Sequence, residues 1–212
     1  MLPCGTYPGS YQEDIAVVRT RLQWGLLIAG LALLFCLPLF TDLRWMSFIN
    51  ITMIYIIAVL GLNILTGYCG QISIGHAAFM AVGAYTSAIL VTKLGFPFWV
   101  ALPCAGIMAG LVGLIFGLPS LRVKGFYLVL ATLAAQFIIM WVIMRIRFLT
   151  GGYAGIKVPR PELGGIVFDT DQSYFYIIAV LLVIMTFLAK NIVRTKVGRA
   201  FIAIRTMTYP LR

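Results

Sequence analysis

From Trp45 to Thr92 the chain runs for 48 residues without an Asp, Glu, Lys or Arg. No soluble fold hides a segment that long from water on every side. The remainder of the 212 residues agrees: 62% are hydrophobic and 10% are charged, against about 25% charged in an average soluble domain. Six acids and sixteen bases cannot cover a water-facing surface of this size. A soluble globular enzyme is excluded on that ground. Disorder is excluded too, because it needs low hydrophobicity and high charge. What remains is an all-α polytopic membrane protein solvated mainly by lipid. A spanning helix takes about 20 apolar residues, so the chain has room for about six spans.

The uncharged stretch is too long for one span and fits two. Its break is expected at Thr66-Gly67-Tyr68-Cys69-Gly70-Gln71, where the glycines suit the end of a helix. Gln71 and Ser73 are expected to satisfy the free amides that open the next helix. The turn carries no charge. It reads either as a plain connection between two spans or as a broken or re-entrant helix near residues 66–76, held at membrane depth inside protein. The expected spans are about 24–40, 46–65, 72–92, 96–118, 125–144 and 174–189. They follow a polar leader over residues 1–23 and form a transmembrane domain over 24–189. A glycine- and proline-rich loop spans 145–173, and a basic tail spans 190–212.

The net charge of +10 would suggest nucleic acid in a soluble protein. Here the bases lie between apolar runs and read as topology signals. With the N-terminus inside, ten Lys and Arg fall on the cytoplasmic side and six outside. Both termini are therefore expected in the cytoplasm. Six of the ten sit in the tail, which contains no acid and suits a face near anionic lipid.

Absences narrow the chemistry. Cys4, Cys36, Cys69 and Cys104 form no CxxC pair, and the chain has one His, so no metal site is expected. No Asp or Glu occurs between Asp42 and Glu162, a stretch of 119 residues. Proton- and sodium-coupled transporters usually rely on carboxylates inside the membrane. No HExxH, GxSxG or GxxxxGK[ST] motif occurs. No catalytic residue and no bound cofactor are expected, and ATP hydrolysis for any active transport must belong to another chain.

Two patterns remain. Ala101, Ala105, Ala109, Gly113 and Gly117 recur every four residues, beside Gly106 and Gly110. Such a stripe lets another helix approach closely. The run Gln71-Ile72-Ser73-Ile74-Gly75-His76 instead places polar groups at the head of an apolar helix. Intramembrane polar groups usually face a bundle interior or a pathway. Asn63, Gln71, Ser73 and His76 are the expected lining of a substrate path. The competing reading is a capped helix end, with His76 satisfied by a nearby carbonyl. Asn63 and Gln136 each also suit a plain interhelical hydrogen bond.

The run from Leu62 to Phe79, LNILTGYCGQISIGHAAF, continuing to Gly83-Ala84-Tyr85, resembles the permease subunits of bacterial branched-chain amino acid ABC importers, in particular the LivM type. Residues 117–128 (GLPSLRVKGFYL), 150–156 (TGGYAGI) and 195–205 (TKVGRAFIAIR) extend the resemblance over residues 15–205. It implies an inner-membrane importer for branched-chain amino acids. A second, LivH-like permease subunit would share the path, two ATP-binding subunits would carry ATP-Mg, and a periplasmic amino-acid-binding protein would deliver the cargo. Gly198, Arg199, Ala200, Ile204 and Arg205 resemble the start of the loop that docks on the ATPase; a basic amphipathic helix on the membrane surface is the plainer alternative. Family members continue past such an Arg with an acidic, alanine-rich stretch and further spans. Here Thr206 to Arg212 follows, with Pro210 in it. The resemblance therefore implies a permease truncated at its C-terminus. A permease of the same superfamily for a sugar or urea, and a non-transporting remnant, are the alternatives. An uncharged path suits a zwitterion whose two charges are met by helix ends.

Overall fold

The computed structural model describes residues 21–120, 123, 125–159, 162–163, 166–167 and 170–208. Most of the expected leader, the bases Arg122 and Lys124, and Pro210 lie outside the described residues.

The chain forms helices α1 (Arg21–Phe40) and α2 (Leu43–Asn63), a π-helical segment (Ile64–Tyr68), then α3 (His76–Leu94), α4 (Phe98–Ser120) and α5 (Phe126–Arg145). A single turn, α6 (Arg147–Thr150), a 3-10 turn (Gly152–Ala154), α7 (Asp171–Arg194) and α8 (Lys196–Thr208) complete the helices. Five segments are long and apolar enough to cross a membrane: Arg44–Tyr68, His76–Leu94, Phe98–Pro119, Phe126–Arg145 and Asp171–Arg194. α1 contains a shorter apolar stretch, Gly25–Pro38. Large apolar side chains such as Ile107, Phe137 and Trp141 point outward. Lipid solvates such a surface, and the backbone groups are satisfied within each helix. The body of this polytopic membrane protein is all-α. Within the expected 145–173 loop, Glu162 pairs with Val167 and Leu163 with Ile166 in a short antiparallel ribbon, which the apolar pattern did not foreshadow.

The helices sort into two groups, each with its own core. In the first, Met46 and Met53 of α2 pack on Phe175, Ile178 and Ala179 of α7, flanked by Leu34 and Leu37 of α1. Polar bonds fix the same pair of helices. The Ser47 hydroxyl donates to Asp171 Oδ2 at 2.6 Å, and Asn50 Nδ2 donates to the Asp171 carbonyl at 3.1 Å. Asp171 lies in the first turn of α7, where a negative charge favours the helix.

In the second group, Ala78 of α3 packs on Ile139 and Ile143 of α5, flanked by Val112 and Phe116 of α4. A corner closes its far end. The Thr150 hydroxyl shares its proton between the carbonyls of Ile143 (2.7 Å) and Ile146 (2.9 Å) and accepts from the Gly152 amide (3.2 Å). Lys93, near the end of α3, donates to the Phe148 carbonyl and lies 4.7 Å from the centre of its ring. The first group joins the second along the chain at the segment 64–75 and again through the loop before α7.

Candidate functional site

The break differs in form from the expected turn. α2 does not stop at Thr66 but widens into the π-helical segment, with the Cys69 amide donating to the Ile64 carbonyl at 3.4 Å. Gly70 takes φ 68°, the left-handed region that favours glycine, and the Gln71 amide turns back to the Leu65 carbonyl at 3.3 Å. π turns of this kind frequently occur at functional sites. α3 begins at His76, four residues after the expected start at 72. Its cap position is held by Gly75, without a side-chain cap. Gln71 and Ser73 are therefore not helix caps: they sit in irregular chain before the helix, and the Ala78 amide in the first turn of α3 donates to the Gly75 carbonyl at 3.1 Å.

A cavity of about 490 Å³ opens beside this break. Gly61 and Leu65 reach it from the α2 side. Gln71, Ile72 and Ser73 come from the irregular chain, and His76 and Phe79 from α3. Gly113, Gly117 and their neighbours on α4 line another wall, and Leu128, Ala131, Thr132 and Ala135 of α5 complete it. Its volume falls in the range of small-molecule sites, which are mostly apolar with a few placed polar groups. The polar groups here are Gln71, Ser73, His76 and Thr132. None of the lining side chains is an acid, a lysine or an arginine. The His76 ring lies beside Gly61, where a Cβ would stand 3.5 Å from its Cε1 and Nε2, an ordinary van der Waals contact.

Of the four expected path residues, the structure brings Gln71, Ser73 and His76 together and leaves Asn63 apart. Asn63 lies in a shallow groove with Thr52, Tyr55, Val59 and Thr66. Its side-chain oxygen folds over Gly67, where a Cβ would come within 2.6 Å of it. Gln136 lies on another face of α5, beside Phe137 and Trp141. Its Oε1 is buried without a hydrogen-bond partner among the described residues.

The small-residue stripe divides into two uses. Ala105 and Ala109 face Gly83 of α3, where a Cβ would stand 3.9 Å from Ala109 Cβ. Gly113 and Gly117 line the cavity. The second row behaves differently, since a Cβ on Gly106 or Gly110 would meet nothing within 4 Å.

Thr132 is the functional candidate that sequence reasoning missed. In Ala131-Thr132-Leu133 it reads as an ordinary helix threonine bonded to its own backbone, and it does donate to the Val129 carbonyl at 2.9 Å. Its contact with the break 58 residues away has no local signal.

The expected docking residues lie on α8. Gly198 is buried at the elbow with α7, packed so closely on the Val193 backbone that no side chain fits. Arg199, Ala200 and Ile204 are exposed, and Arg205 follows in the same helix. α8 and the end of α7 both lie against the π-helical segment. Cys69, next to that segment, is buried, and burial pushes its thiol above the ordinary value. Among the described residues no group of three His, Cys, Asp or Glu is placed to hold a metal.

Residues 45–207 match the family described as branched-chain amino acid transport system / permease component. The chain is 35% identical over 216 residues to the high-affinity branched-chain amino acid transport system permease protein LivM of Escherichia coli strain K12. That alignment covers 91% of this chain and 50% of the relative. The protein of the same description from Salmonella typhimurium strain LT2 is 34% identical over the same shares. The chain thus spans about half the length of the curated relatives it matches. No solved structure matches it.

Proposed function

This chain belongs to the family of branched-chain amino acid transport permease components, and from that membership we propose that it is a membrane subunit of an ATP-driven importer of branched-chain amino acids. The observation that carries the reading is the cavity at the 64–75 break. It is apolar with four polar groups, it sits where the two helix groups meet, and α8 rests on the same break.

The chemistry of the cavity suits such a cargo. Leu65, Phe79, Leu114 and Leu128 offer an apolar surface to a branched aliphatic side chain, which fills it through close contacts. The zwitterionic end needs one positive and one negative partner. α3 starts beside the cavity, where His76 and Phe79 line it, and a helix start favours a carboxylate. The carbonyl end of α2 and its π-helical continuation favours an ammonium group in the same way. Gln71, Ser73 and His76 supply hydrogen bonds without fixing a net charge. A site of this kind binds and releases a neutral solute without a proton or a sodium ion.

Coupling follows from the placement of α8. ATP-Mg is held and hydrolysed by two ATP-binding subunits, which dock on Arg199, Ala200, Ile204 and Arg205 from the cytoplasm. Movement of α8 then shifts the π-helical segment it touches, and the second helix group re-packs against the first around residues 64–75. A second permease subunit completes the path, and a periplasmic binding protein delivers the amino acid to the inner membrane. Both termini lie in the cytoplasm in this arrangement, with the loop before α7 outside.

The test is reconstitution. The chain is co-expressed with a second permease subunit and an ATP-binding subunit, purified through the latter, and assayed in vesicles for leucine uptake. Co-purification with ATP-dependent uptake of leucine over urea or a sugar supports the proposal. A chain that never co-purifies, or that moves urea in preference, contradicts it.

A further inference from the structure

The irregular chain before α3 carries little structure of its own, and two of its contacts with α5 converge on one residue. The Ile74 amide donates to Thr132 Oγ1 at 3.3 Å. Gly75, buried, backs onto the same residue: a Cβ there would come within 2.5 Å of the Thr132 carbonyl oxygen and 3.5 Å of its Cβ. Thr132 is held in turn, because its hydroxyl donates to the Val129 carbonyl at 2.9 Å. That bond spends the proton and leaves the oxygen free to accept from Ile74. Immediately after Gly75 comes His76, whose ring lies against Gly61 of α2. A continuous line of contact therefore runs from α5 through Ile74 and Gly75 to His76 and on to α2, along one wall of the cavity.

We propose that Thr132 is a positioning residue for the site: its hydroxyl and carbonyl set where α3 starts, and so set the His76 ring and the Gln71–Ser73 chain around the cargo. This rests on the reading of the cavity as part of the amino acid path. Serine keeps the hydroxyl at this position and valine keeps the shape without it, so the two substitutions separate the hydrogen bond from the packing. Gly75→Ala attacks the same contact from the other side without touching Thr132.

The chain has a single histidine, so its ring gives one unambiguous nuclear magnetic resonance signal when the tag-free full chain is held in a lipid nanodisc. Leucine is titrated as the probe, and amide exchange at Ile74 is read alongside. In Thr132→Val the free-state His76 signal moves, the Ile74 amide exchanges about fivefold faster, and the leucine midpoint rises about fivefold, the worth of one hydrogen bond. Thr132→Ser restores all three. Gly75→Ala moves the same His76 signal, which keeps the claim testable if the valine variant fails to fold. A His76 signal and leucine midpoint unchanged in Thr132→Val, or a serine variant that behaves like valine, overturns the proposal. If leucine leaves the wild-type signal where it was, the amino acid path reading fails instead. The free-state signal and the Ile74 exchange then decide the positioning role alone, supporting it if valine moves them and serine restores them, and overturning it otherwise.

Discussion

The α1–α2–α7 group and the α3–α4–α5 group draw on the same apolar residues, and they differ in side-chain size where α2 meets α7 and where α3 meets α4. The first closes on Met46, Met53, Phe175 and Ile178, with Phe175 and Met46 fully buried. The second brings Gly83 onto Ala105 and Ala109, and Gly113 near Phe79. Large side chains fill the space between helices, whereas small ones let backbones approach and leave room elsewhere. In lipid, helix association rests on such packing, because acyl chains are as apolar as leucine. The contrast separates a filled scaffold from a group that keeps a cavity open at its edge.

Three substitutions and one label probe that contrast. Phe175→Ala strikes the filled group, and the largest effect is expected there. Soluble cores lose about 3–5 kcal/mol on such a change. In lipid the transfer part shrinks and the cavity part remains, so a loss of roughly 2–3 kcal/mol is expected. Leu128→Ala, on the cavity wall, enlarges a space that already exists and should cost ~1 kcal/mol or less by the same reasoning. Thermal unfolding in detergent, followed by circular dichroism, compares the two. Equal losses would dissolve the distinction between scaffold and cavity wall.

Gly198→Ala comes next. Its added methyl meets the Val193 backbone, and overpacking of this sort costs about 1–3 kcal/mol. The strain is local to the elbow. The expected outcome is α8 swung away from the π-helical segment, read as lost cross-linking between cysteines placed on those two elements, with the rest of the fold intact. Retained cross-linking would show that α8 does not depend on a side-chain-free elbow.

The smallest effect concerns Cys69. Burial raises its thiol, which lowers the thiolate fraction at a given pH, and the thiolate is the reactive form. Alkylation at pH 8 is therefore expected to be slower than for the same cysteine in the unfolded chain. It should accelerate when docking of an ATP-binding subunit shifts the break. A rate insensitive to docking would place the moving part elsewhere.

The same contrast explains what could be read from the sequence. A break near Gly67 and Gly70 was legible, because glycines in an uncharged run announce a helix end. Its form was not. Gln71 and Ser73 have the composition of caps, but the Gly70 turn and the contact of Gly75 with Thr132 delay the helix to His76. Helical periodicity put Ala105 and Gly117 on one stripe, yet it could not show that one end packs on α3 while the other faces a void. Asn63 was expected on the path because it is polar and intramembrane. Its side-chain oxygen lies over Gly67, outside the cavity lining, and no spacing in the sequence fixes that rotamer. The sorting of helices into two groups depends on α7 returning to α2 across more than a hundred residues, and no local pattern encodes that return.

The central claim is that two internally fixed helix groups meet at residues 64–75 and move there. Pulsed electron paramagnetic resonance between spin labels on outward-facing positions tests it directly. One pair, at Ile51 of α2 and Ile107 of α4, spans the groups; another, at Leu33 of α1 and Val180 of α7, lies within the first. If the chain works in the ATP-driven assembly proposed above, ATP added to that assembly shifts the distance of the first pair and leaves that of the second unchanged. A first-pair distance that stays fixed while the second pair moves, or two pairs that move alike, would contradict it.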